Sequence, residues 1–300
     1  MKLLIIGSEG FIGSHCVQFF KNSGHDVWGI DFAERPANNY NYIRCYKNKT
    51  AFADVFSVDY SAIINCAGNG NVPVSINDPV LDFTANSYDT IRILDAIRKV
   101  CPKVKYIHLS SAAVYGNPEN LPINEIDETI PISPYGYHKL IAEHICKEYS
   151  SIYNIKVAIV RPFSVYGPGL RKQMFWDWNK KLRSNSEFEL FGTGSESRDY
   201  IYIKDLVKAI SLILEKGSFE GDIYNIGSGN ETFIKEVAEL FFDLPHITVS
   251  YKFNKVVRSG DPLNWKADTT KLGLLGFKCD YTLQEGIGEL HAWLNEISEE

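Results

Sequence analysis

The segment that decides the fold reads KLLIIGSEGFIG and occupies residues 2–13. A short apolar run that passes directly into a glycine-rich turn predicts a buried strand followed by a helix. The spacing G-x-x-G-x-x-G permits a tight turn and lets a pyrophosphate approach the backbone, and the helix N-terminus offers free N–H donors. A tight turn without a ligand is the structural alternative. We predict a dinucleotide-phosphate site, whose candidate residues are Gly7, Gly10, Phe11, Ile12 and Gly13.

Apolar runs and amphipathic stretches alternate along the first half of the chain. Alternation of this kind builds a parallel sheet covered by helices on both faces, so we predict an α/β fold with a doubly wound sheet. The predicted strands cover residues 3–6, 27–30, 42–45, 62–66, 104–109 and 157–160. The predicted helices cover residues 12–22, 87–100 and 134–153.

The sequence changes character after residue 162. Residues 163–200 are rich in aromatic residues and glycine, and we predict one helix there, at 175–183. A strand at 222–226 lies between helices at 203–215 and 231–244, and a capping box at Thr282 and Glu285 opens a last helix. We predict two interleaved lobes. Residues 1–162 and 201–227 form the nucleotide-binding domain, and residues 163–200 and 228–300 form a smaller, discontinuous substrate lobe.

Composition excludes several classes of protein. The chain has 300 residues, 45% of them hydrophobic, and a formal net charge of −6. These values exclude disorder, collagen and a bare coiled coil, and they disfavour nucleic acids and anionic membranes as partners. Six scattered cysteines form no C-x-x-C pair, so we expect reduced thiols and no metal site. Because no apolar run is long enough for a secretory signal or a membrane span, we expect a cytoplasmic protein.

Asp31 follows the second predicted strand, 18 residues after Gly13. A carboxylate at this place can accept hydrogen bonds from an adenosine ribose and repels a 2′-phosphate, so we predict NAD rather than NADP. Arg35 lies close enough in sequence to keep NADP as the less favoured alternative.

Tyr135 and Lys139 are four residues apart on a predicted helix and therefore share one face. A nearby ammonium favours a phenolate, so we expect Lys139 to lower the pKa of Tyr135. Such a tyrosine can exchange a proton with a substrate hydroxyl near neutral pH. Ser111 follows a buried strand at the sheet edge where open α/β sheets bind ligands.

At this point the sequence resembles the extended short-chain dehydrogenase/reductase family, in its nucleotide-sugar epimerase and dehydratase branch. The stretches that carry the resemblance follow the family's order along nearly the whole chain. They are GSEGFIGSH (7–15), LSSAAVYG (109–116), SPYGYHK (133–139), RPFSVYGP (161–168), GTGSESRDYIYIKDL (192–206) and YNIGSG (224–229). The resemblance implies a Rossmann-type sheet and a homodimer that pairs the helices near residues 87–100 and 134–153.

The resemblance also implies roles for individual residues. Ser111, Tyr135 and Lys139 match the family's catalytic set, in which the tyrosine takes the proton of the sugar 4-hydroxyl while the C4 hydride passes to NAD. Lys139 would also hold the nicotinamide ribose. Further matches to family positions near the cofactor are Ala67, Gly68 and Asn86.

On the substrate side, guanidinium groups suit the diphosphate of a nucleotide sugar because they form paired hydrogen bonds. Arg198 and Arg258 match the family positions that contact this diphosphate, and Lys172 is a weaker candidate. Ser164 stands where the family frequently has asparagine at a sugar or phosphate contact.

Three departures from the family pattern bear on the activity. Ala112 and Ala113 stand where 4,6-dehydratases carry an acidic pair, which argues against a dehydratase. No Gly-Asp follows the third strand, so the family's usual adenine contact is missing, and Asn48 and Asp54 are the candidates to replace it. His138 replaces a small residue before Lys139, and we interpret it as a packing or surface residue.

These observations favour an NAD-dependent nucleotide-sugar epimerase that acts at C4 through a 4-keto intermediate. One alternative is an NAD(P)H-dependent 4-ketoreductase of a nucleotide-linked keto-deoxy sugar, which would use the same three residues. The remote alternative is a binding protein that senses NAD(H) without catalysis, but such a protein has no need of an intact Ser111, Tyr135 and Lys139.

Overall fold

Seven parallel strands form the central sheet of the computed structural model, which describes residues 1–46, 50–184, 187–243, 249–256 and 260–297. The strand order is β3-β2-β1-β4-β5-β6-β11, so the order reverses between β1 and β4. The strands are β1 (Lys2–Ile6), β2 (Asp26–Asp31), β3 (Asn41–Arg44), β4 (Ala62–Asn65), β5 (Lys105–Leu109), β6 (Lys156–Pro162) and β11 (Glu220–Ile226).

This order is that of a Rossmann-type fold and confirms the predicted fold class. Each of the seven predicted apolar runs lies in one strand of the sheet, with its ends shifted by at most two residues. Strand β4 is buried along its whole length, as expected for a parallel strand with helices on both faces.

Helices cover both faces of the sheet and also build much of the second half of the chain. The helices are α1 (Phe11–Asn22), α2 (Phe52–Val55), α3 (Val72–Asn77), α4 (Pro79–Phe83), α5 (Asp89–Val100), α6 (Pro134–Tyr153), α7 (Gln173–Ser184), α8 (Ile203–Lys216), α9 (Ile234–Phe242), α10 (Thr270–Leu274) and α11 (Leu283–Glu296). No helix in the described residues is long and apolar enough to cross a membrane.

Side-chain caps begin two of the predicted helices. The Ser133 hydroxyl accepts a hydrogen bond from the Gly136 N–H at 3.2 Å, and Pro134 occupies the first turn of α6. At the start of α11, the Glu285 N–H donates to the Thr282 hydroxyl and the Thr282 N–H donates to the Glu285 carboxylate. The predicted capping box is therefore confirmed.

The structure differs from prediction where short elements pair with distant parts of the chain. The helix predicted at 231–244 begins only at Ile234, because Thr232–Phe233 forms an antiparallel pair with Ser197–Arg198. The helices α3 and α4 were not predicted, and neither was a single π-helical turn at Thr84–Tyr88. Nor were the short strands predicted, which are β7 (Ser164–Tyr166), β8 (Glu187–Leu190), β9 (Ser197–Arg198), β10 (Tyr200–Tyr202), β12 (Thr232–Phe233) and β13 (Ser250–Phe253).

A buried ion pair joins helix α6 to the central sheet. Arg161 on β6 binds Glu143 on α6 through two hydrogen bonds, of 2.9 and 2.6 Å, and their side chains are 3% and 1% exposed. The Ser110 hydroxyl donates to the same carboxylate, and the Arg161 guanidinium also donates to the Tyr115 hydroxyl at 2.7 Å. Tyr115 in turn donates to the Asn225 side chain. Four segments of the fold therefore meet in one polar cluster.

We expect the substitution Arg161→Met to lower the free energy of unfolding by about 3–5 kcal/mol, because it leaves the Glu143 carboxylate buried without its partner. The double variant Arg161→Met/Glu143→Leu should recover much of that loss. Urea denaturation followed by circular dichroism measures both values. Equal stability of the single variant and the wild type would show that the pair does not hold α6 in place.

Candidate functional site

A large cavity lies at the carboxyl ends of the central strands, at the point between β1 and β4 where the strand order reverses. Its volume is about 710 Å³. Open α/β sheets bind their ligands at this topological switch point. One side of the cavity is formed by the turn before α1 and by the segment after β4, and the other side by residues of the second half of the chain. This cavity is the candidate active site.

The glycine turn has the geometry that a phosphate site requires. Gly7 has a positive φ of 78°, and a Cβ on Gly13 would lie 2.0 Å from the Gly7 carbonyl oxygen. Gly10 is the N-cap of α1 and provides no side-chain cap, so the first N–H groups of the helix remain available. The predicted residues Gly10, Phe11 and Ile12 line the cavity.

Asp31 lies at the end of β2, directly above the glycine turn. Its carboxylate accepts hydrogen bonds from the Glu9 N–H at 2.9 Å and from the Phe32 N–H at 2.6 Å. Glu9 places a second carboxylate in the same region, where it accepts from the Ala37 N–H and from the Tyr40 hydroxyl. Two carboxylates therefore lie on this side of the turn, which would disfavour a 2′-phosphate.

A second cavity, of about 330 Å³, lies beyond Asp31 at the ends of β2 and β3. Most of its lining is apolar and includes Phe32, Cys45, Phe52 and Leu81. Of the two adenine contacts considered from sequence, Asp54 lies on α2 outside this lining. Asn48 lies outside the described residues. Apolar residues that follow β2 and β3 in the sequence could have indicated this cavity. They come together only in the folded chain, so the sequence alone did not reveal it.

The predicted residues after β4 and on the following helices meet at one point. A Cβ on Gly68 would lie 2.5 Å from the Asn86 side-chain oxygen and 3.3 Å from the Lys139 ammonium. Ala67 lies beside them, and its N–H donates to Asn65 at 3.1 Å. Gly68 has a φ of 133°, so glycine is required here for both its conformation and its size.

Ser111 and Tyr135 lie in the same cavity as Lys139. The Ser111 oxygen accepts a hydrogen bond from the Ala113 N–H at 3.1 Å, which orients the hydroxyl at the end of β5. The Tyr135 N–H donates to the Ser75 hydroxyl on α3 and fixes the start of α6. The structure therefore brings together the three residues that the sequence proposed as a catalytic set.

Burial changes the pKa values of the two titratable members in opposite directions. It raises the pKa of Tyr135 to about 12, although the adjacent Ser111 hydroxyl partly opposes this increase. It lowers the pKa of Lys139 to about 8, with the Asp82 carboxylate as the largest opposing influence. The Lys139 ammonium donates to the Leu109 carbonyl at 2.8 Å. The expected lowering of the tyrosine pKa by Lys139 is therefore absent from this arrangement of the two side chains.

The cavity is also lined by Ser164, Arg198 and Lys172. The Arg198 guanidinium donates to the Ser197 and Leu263 carbonyls and lies 5.8 Å from the centre of the Trp265 ring. Burial lowers the pKa of Lys172. Arg258 lies outside the described residues.

Two buried carboxylates of this region were missed from sequence. Asp199 accepts hydrogen bonds from the N–H groups of Ser228, Gly229 and Ala267, so it joins the segment around Arg198 to two later loops. Burial raises the pKa of Asp199 to about 6. Asp82 lies beneath Asn86 and pairs with His138, which is therefore part of a buried pair rather than a simple surface residue.

The residues of the cavity fit a dinucleotide. The side-chain oxygen of Asn86 is buried and has no hydrogen-bond partner among the described residues, so it is an acceptor that suits a ligand hydroxyl. The glycine turn and the start of α1 suit a pyrophosphate. Within the described part of the chain, no group of three or more His, Cys, Asp or Glu residues could hold a metal ion.

The sheet order and the Ser–Tyr–Lys arrangement beside a glycine turn define a nucleotide-dependent enzyme of the Rossmann class. A sequence profile of the NAD dependent epimerase/dehydratase family matches residues 3–227, and the chain belongs to this family.

The chain is also similar to individual proteins along almost its full length. It is 28% identical to a UDP-glucose 4-epimerase of Mycolicibacterium smegmatis, over 96% of this chain and 97% of that protein. MoeE5, solved in complex with UDP-glucose and NAD, superimposes with a TM-score of 0.90 at 27% identity, over 99% and 100% of the two chains. UDP-glucuronic acid 4-epimerase of Bacillus cereus, solved with UDP-glucuronic acid and NAD, gives a TM-score of 0.88 at 29% identity and the same coverage.

We expect Gly13→Ala to weaken NAD binding roughly 100-fold. The new methyl group would lie 2.0 Å from the Gly7 carbonyl oxygen, so the turn must move away from α1 and displace the N–H groups that bind the pyrophosphate. Fluorescence titration with NADH measures the affinity. Gly288→Ala is the matched control, since a Cβ there meets nothing within 4 Å. Unchanged affinity in Gly13→Ala would contradict the assignment of the turn.

Proposed function

We propose that the chain is an NAD-dependent nucleotide-sugar epimerase that inverts C4 of the sugar. The observation that carries this proposal is the position of Ser111, Tyr135 and Lys139 in the cavity that the glycine turn also lines. The names of the similar proteins, which include UDP-sugar 4-epimerases, support the same reaction. Ala113 lines the cavity without a carboxylate, which supports an epimerase over a dehydratase.

The reaction needs a group that exchanges a proton with the sugar 4-hydroxyl, and Tyr135 performs this step. NAD, held by the glycine turn and Lys139, would supply the acceptor and donor of the C4 hydride. Ser111 hydrogen-bonds the oxygen of the sugar 4-hydroxyl and stabilises the phenolate that forms on Tyr135. Lys139 lies one turn along α6 from Tyr135, and its ammonium would favour the phenolate once the two side chains approach within about 4–6 Å.

Cofactor binding is divided between the two cavities. The turn from Gly7 to Gly13 and the start of α1 bind the pyrophosphate, and Asp31 accepts hydrogen bonds from the adenosine ribose. The apolar second cavity, which lies beyond Asp31, is suited to the flat adenine ring. Lys139 and the free oxygen of Asn86 bind the hydroxyls of the nicotinamide ribose, as a donor and an acceptor respectively. Ala67 and Gly68 provide the backbone against which this end of the cofactor packs.

The nucleotide sugar occupies the wall opposite the glycine turn. Arg198 lines this wall and binds the diphosphate, and Arg258 is proposed for the same role on the strength of the sequence pattern. Ser164 contacts the sugar or its adjoining phosphate. The substrate lobe proposed from sequence, residues 163–200 and 228–300, contributes these side chains, and residues 1–162 and 201–227 form the NAD-binding domain.

A homodimer formed by α5 and α6 is supported by exposed apolar residues on one face of α6. Tyr137, Ile141 and Ile152 are 53%, 38% and 64% exposed. Their spacing of four and eleven residues places them along one side of the helix. Burial of this face against a second copy would remove the apolar patch from water.

The function is tested with a panel of UDP-, dTDP-, GDP- and CDP-linked sugars, with and without added NADH or NADPH. Products are followed by NMR. We expect interconversion of C4 epimers without net change in the cofactor. Stoichiometric oxidation of NADH or NADPH, seen only with keto sugars, would instead identify a ketoreductase and refute the proposal.

Tyr135→Phe should lower kcat by about three orders of magnitude while NAD stays bound, because the variant removes the proton-exchanging oxygen and keeps the ring. The control is Tyr137→Phe, which removes a hydroxyl two residues away on the same helix and keeps the aromatic ring on the proposed dimer face. Turnover of Tyr135→Phe near the wild-type rate would end the proposed mechanism.

For the homodimer, analytical ultracentrifugation should give twice the chain mass for the wild type and a monomer for Ile141→Glu/Ile152→Glu, because the charges oppose burial of the face. A wild-type protein that sediments as a monomer would disprove the assembly.

A further inference from the structure

Asp82 is a buried carboxylate next to the candidate active site, and it takes no direct part in the proposed reaction. It lies on the short helix α4 and is 0% exposed. One of its oxygens accepts hydrogen bonds from the side-chain amides of Asn69 at 2.7 Å and Asn86 at 3.0 Å. The other oxygen is bound to the His138 ring nitrogen Nδ1 at 2.5 Å. Three side chains from different segments therefore converge on this one group.

The hydrogen bond to Asp82 determines which way the Asn86 amide faces. The Asn86 amide nitrogen donates both to Asp82 and to the Asn69 carbonyl at 3.2 Å, so both of its hydrogens are engaged on one side. A flipped amide would place its oxygen against the Asp82 carboxylate, where two acceptors repel each other. The Asn86 oxygen must therefore point the other way, towards Gly68 and Lys139.

Asp82 also supplies charge to Lys139. The titratable groups around the Lys139 ammonium come from four elements and are Asp82 on α4, Cys66 after β4, His108 on β5, and Glu143 and Cys146 on α6. Glu143 is already neutralised by the two hydrogen bonds from Arg161. Of these two carboxylates, Asp82 is the one that no arginine or lysine of the described segments contacts directly. It is also the largest influence that raises the pKa of Lys139.

We propose that Asp82 is a positioning residue for the epimerase reaction: held by His138, its carboxylate turns the Asn86 oxygen towards the nicotinamide ribose and places a buried negative charge close to Lys139. This inference rests on the proposed function. It adds to the site a residue that touches neither substrate nor cofactor and acts through two residues that do.

His138 holds the carboxylate from the side opposite the amides. It is mostly buried, with 13% of its side chain exposed, and its ring forms a T-shaped pair with the ring of Phe83 at a centroid distance of 5.4 Å. Its backbone carbonyl accepts a hydrogen bond from Ser87, which ties α6 to the segment that carries Asn86. Because His138 immediately precedes Lys139, the pair also sets the position of the lysine along the helix.

The first test separates charge from shape through the variant Asp82→Asn. Asparagine can still accept from Asn69 and Asn86, but it carries no charge. Wild-type kcat should fall as pH rises through about 8, where Lys139 loses its proton. In Asp82→Asn this alkaline limb should move down by about 1 pH unit, because the pKa of Lys139 falls when the anion is removed. The surface variant Asp280→Asn, whose carboxylate is 60% exposed, is the control. A limb at the same pH in Asp82→Asn, with or without a uniform loss of kcat, would overturn the role of the charge.

The second test addresses orientation through the partner of Asp82. His138→Gln retains an N–H donor for the carboxylate, whereas His138→Leu removes it. We expect kcat of His138→Gln to stay within about threefold of wild type and that of His138→Leu to fall by about 10-fold to 100-fold. Equal activities of the two variants would show that the donor is irrelevant and would refute the arrangement.

A binding measurement distinguishes this inference from the proposed function. NADH titration of Asp82→Leu should show about 10-fold weaker affinity than the wild type, since the Asn86 amide is no longer fixed. This readout does not require turnover. A wild type that epimerises no sugar while Asp82→Leu binds NADH weakly would refute the proposed reaction but keep the positioning of Asn86. Unchanged NADH affinity in a folded Asp82→Leu protein would refute the positioning, whatever the activity.

Discussion

The buried bridge between Arg161 and Glu143 is the interaction on which the active site depends. It docks α6 on the sheet, and α6 carries both Tyr135 and Lys139. Removing two charges from water is expensive, and this cluster offsets the cost by giving the carboxylate and the guanidinium several hydrogen bonds. A hydrophobic contact could hold a helix of this length as tightly. It would not fix the helix in register along its axis, as a bidentate pair of fixed geometry does.

The polar groups of the site fall into two layers with opposite properties. Below the cavity, the Arg161–Glu143 bridge and the Asp199 carboxylate have their hydrogen bonds supplied within the protein. At the cavity surface, the Asn86 oxygen is buried without a partner in the described residues, and the Lys139 ammonium has a backbone carbonyl as its hydrogen-bond partner. Burying an unsatisfied acceptor costs free energy. A ligand hydroxyl that satisfies this acceptor recovers that free energy on binding.

Sequence reasoning succeeded where the signal is local. Apolar runs of four to six residues correctly gave the strands of the main sheet, and the caps at Ser133 and Thr282 correctly gave the starts of two helices. It failed where a residue's role depends on a distant partner. Asp82 and His138 are 56 residues apart, so neither looks unusual in its own segment. The pairing of Thr232–Phe233 with β9 is likewise invisible to periodicity, and it shortened a helix that had been predicted to begin earlier.

Burial of the active site disfavours the ionised forms of Tyr135 and Lys139. Desolvation raises the pKa of Tyr135 to about 12 and lowers that of Lys139 to about 8, so it opposes the ionised form of both residues. Tyr135 can exchange a proton reversibly only if its phenolate forms at the working pH, and a nearby cation favours that form. A buried lysine stays cationic only if an anion accompanies it, yet an anion close to Tyr135 would oppose the phenolate. The carboxylate of Asp82, with His138 and two amides around it, meets the first need, and its cost is a smaller contribution than burial to the raised pKa of Tyr135.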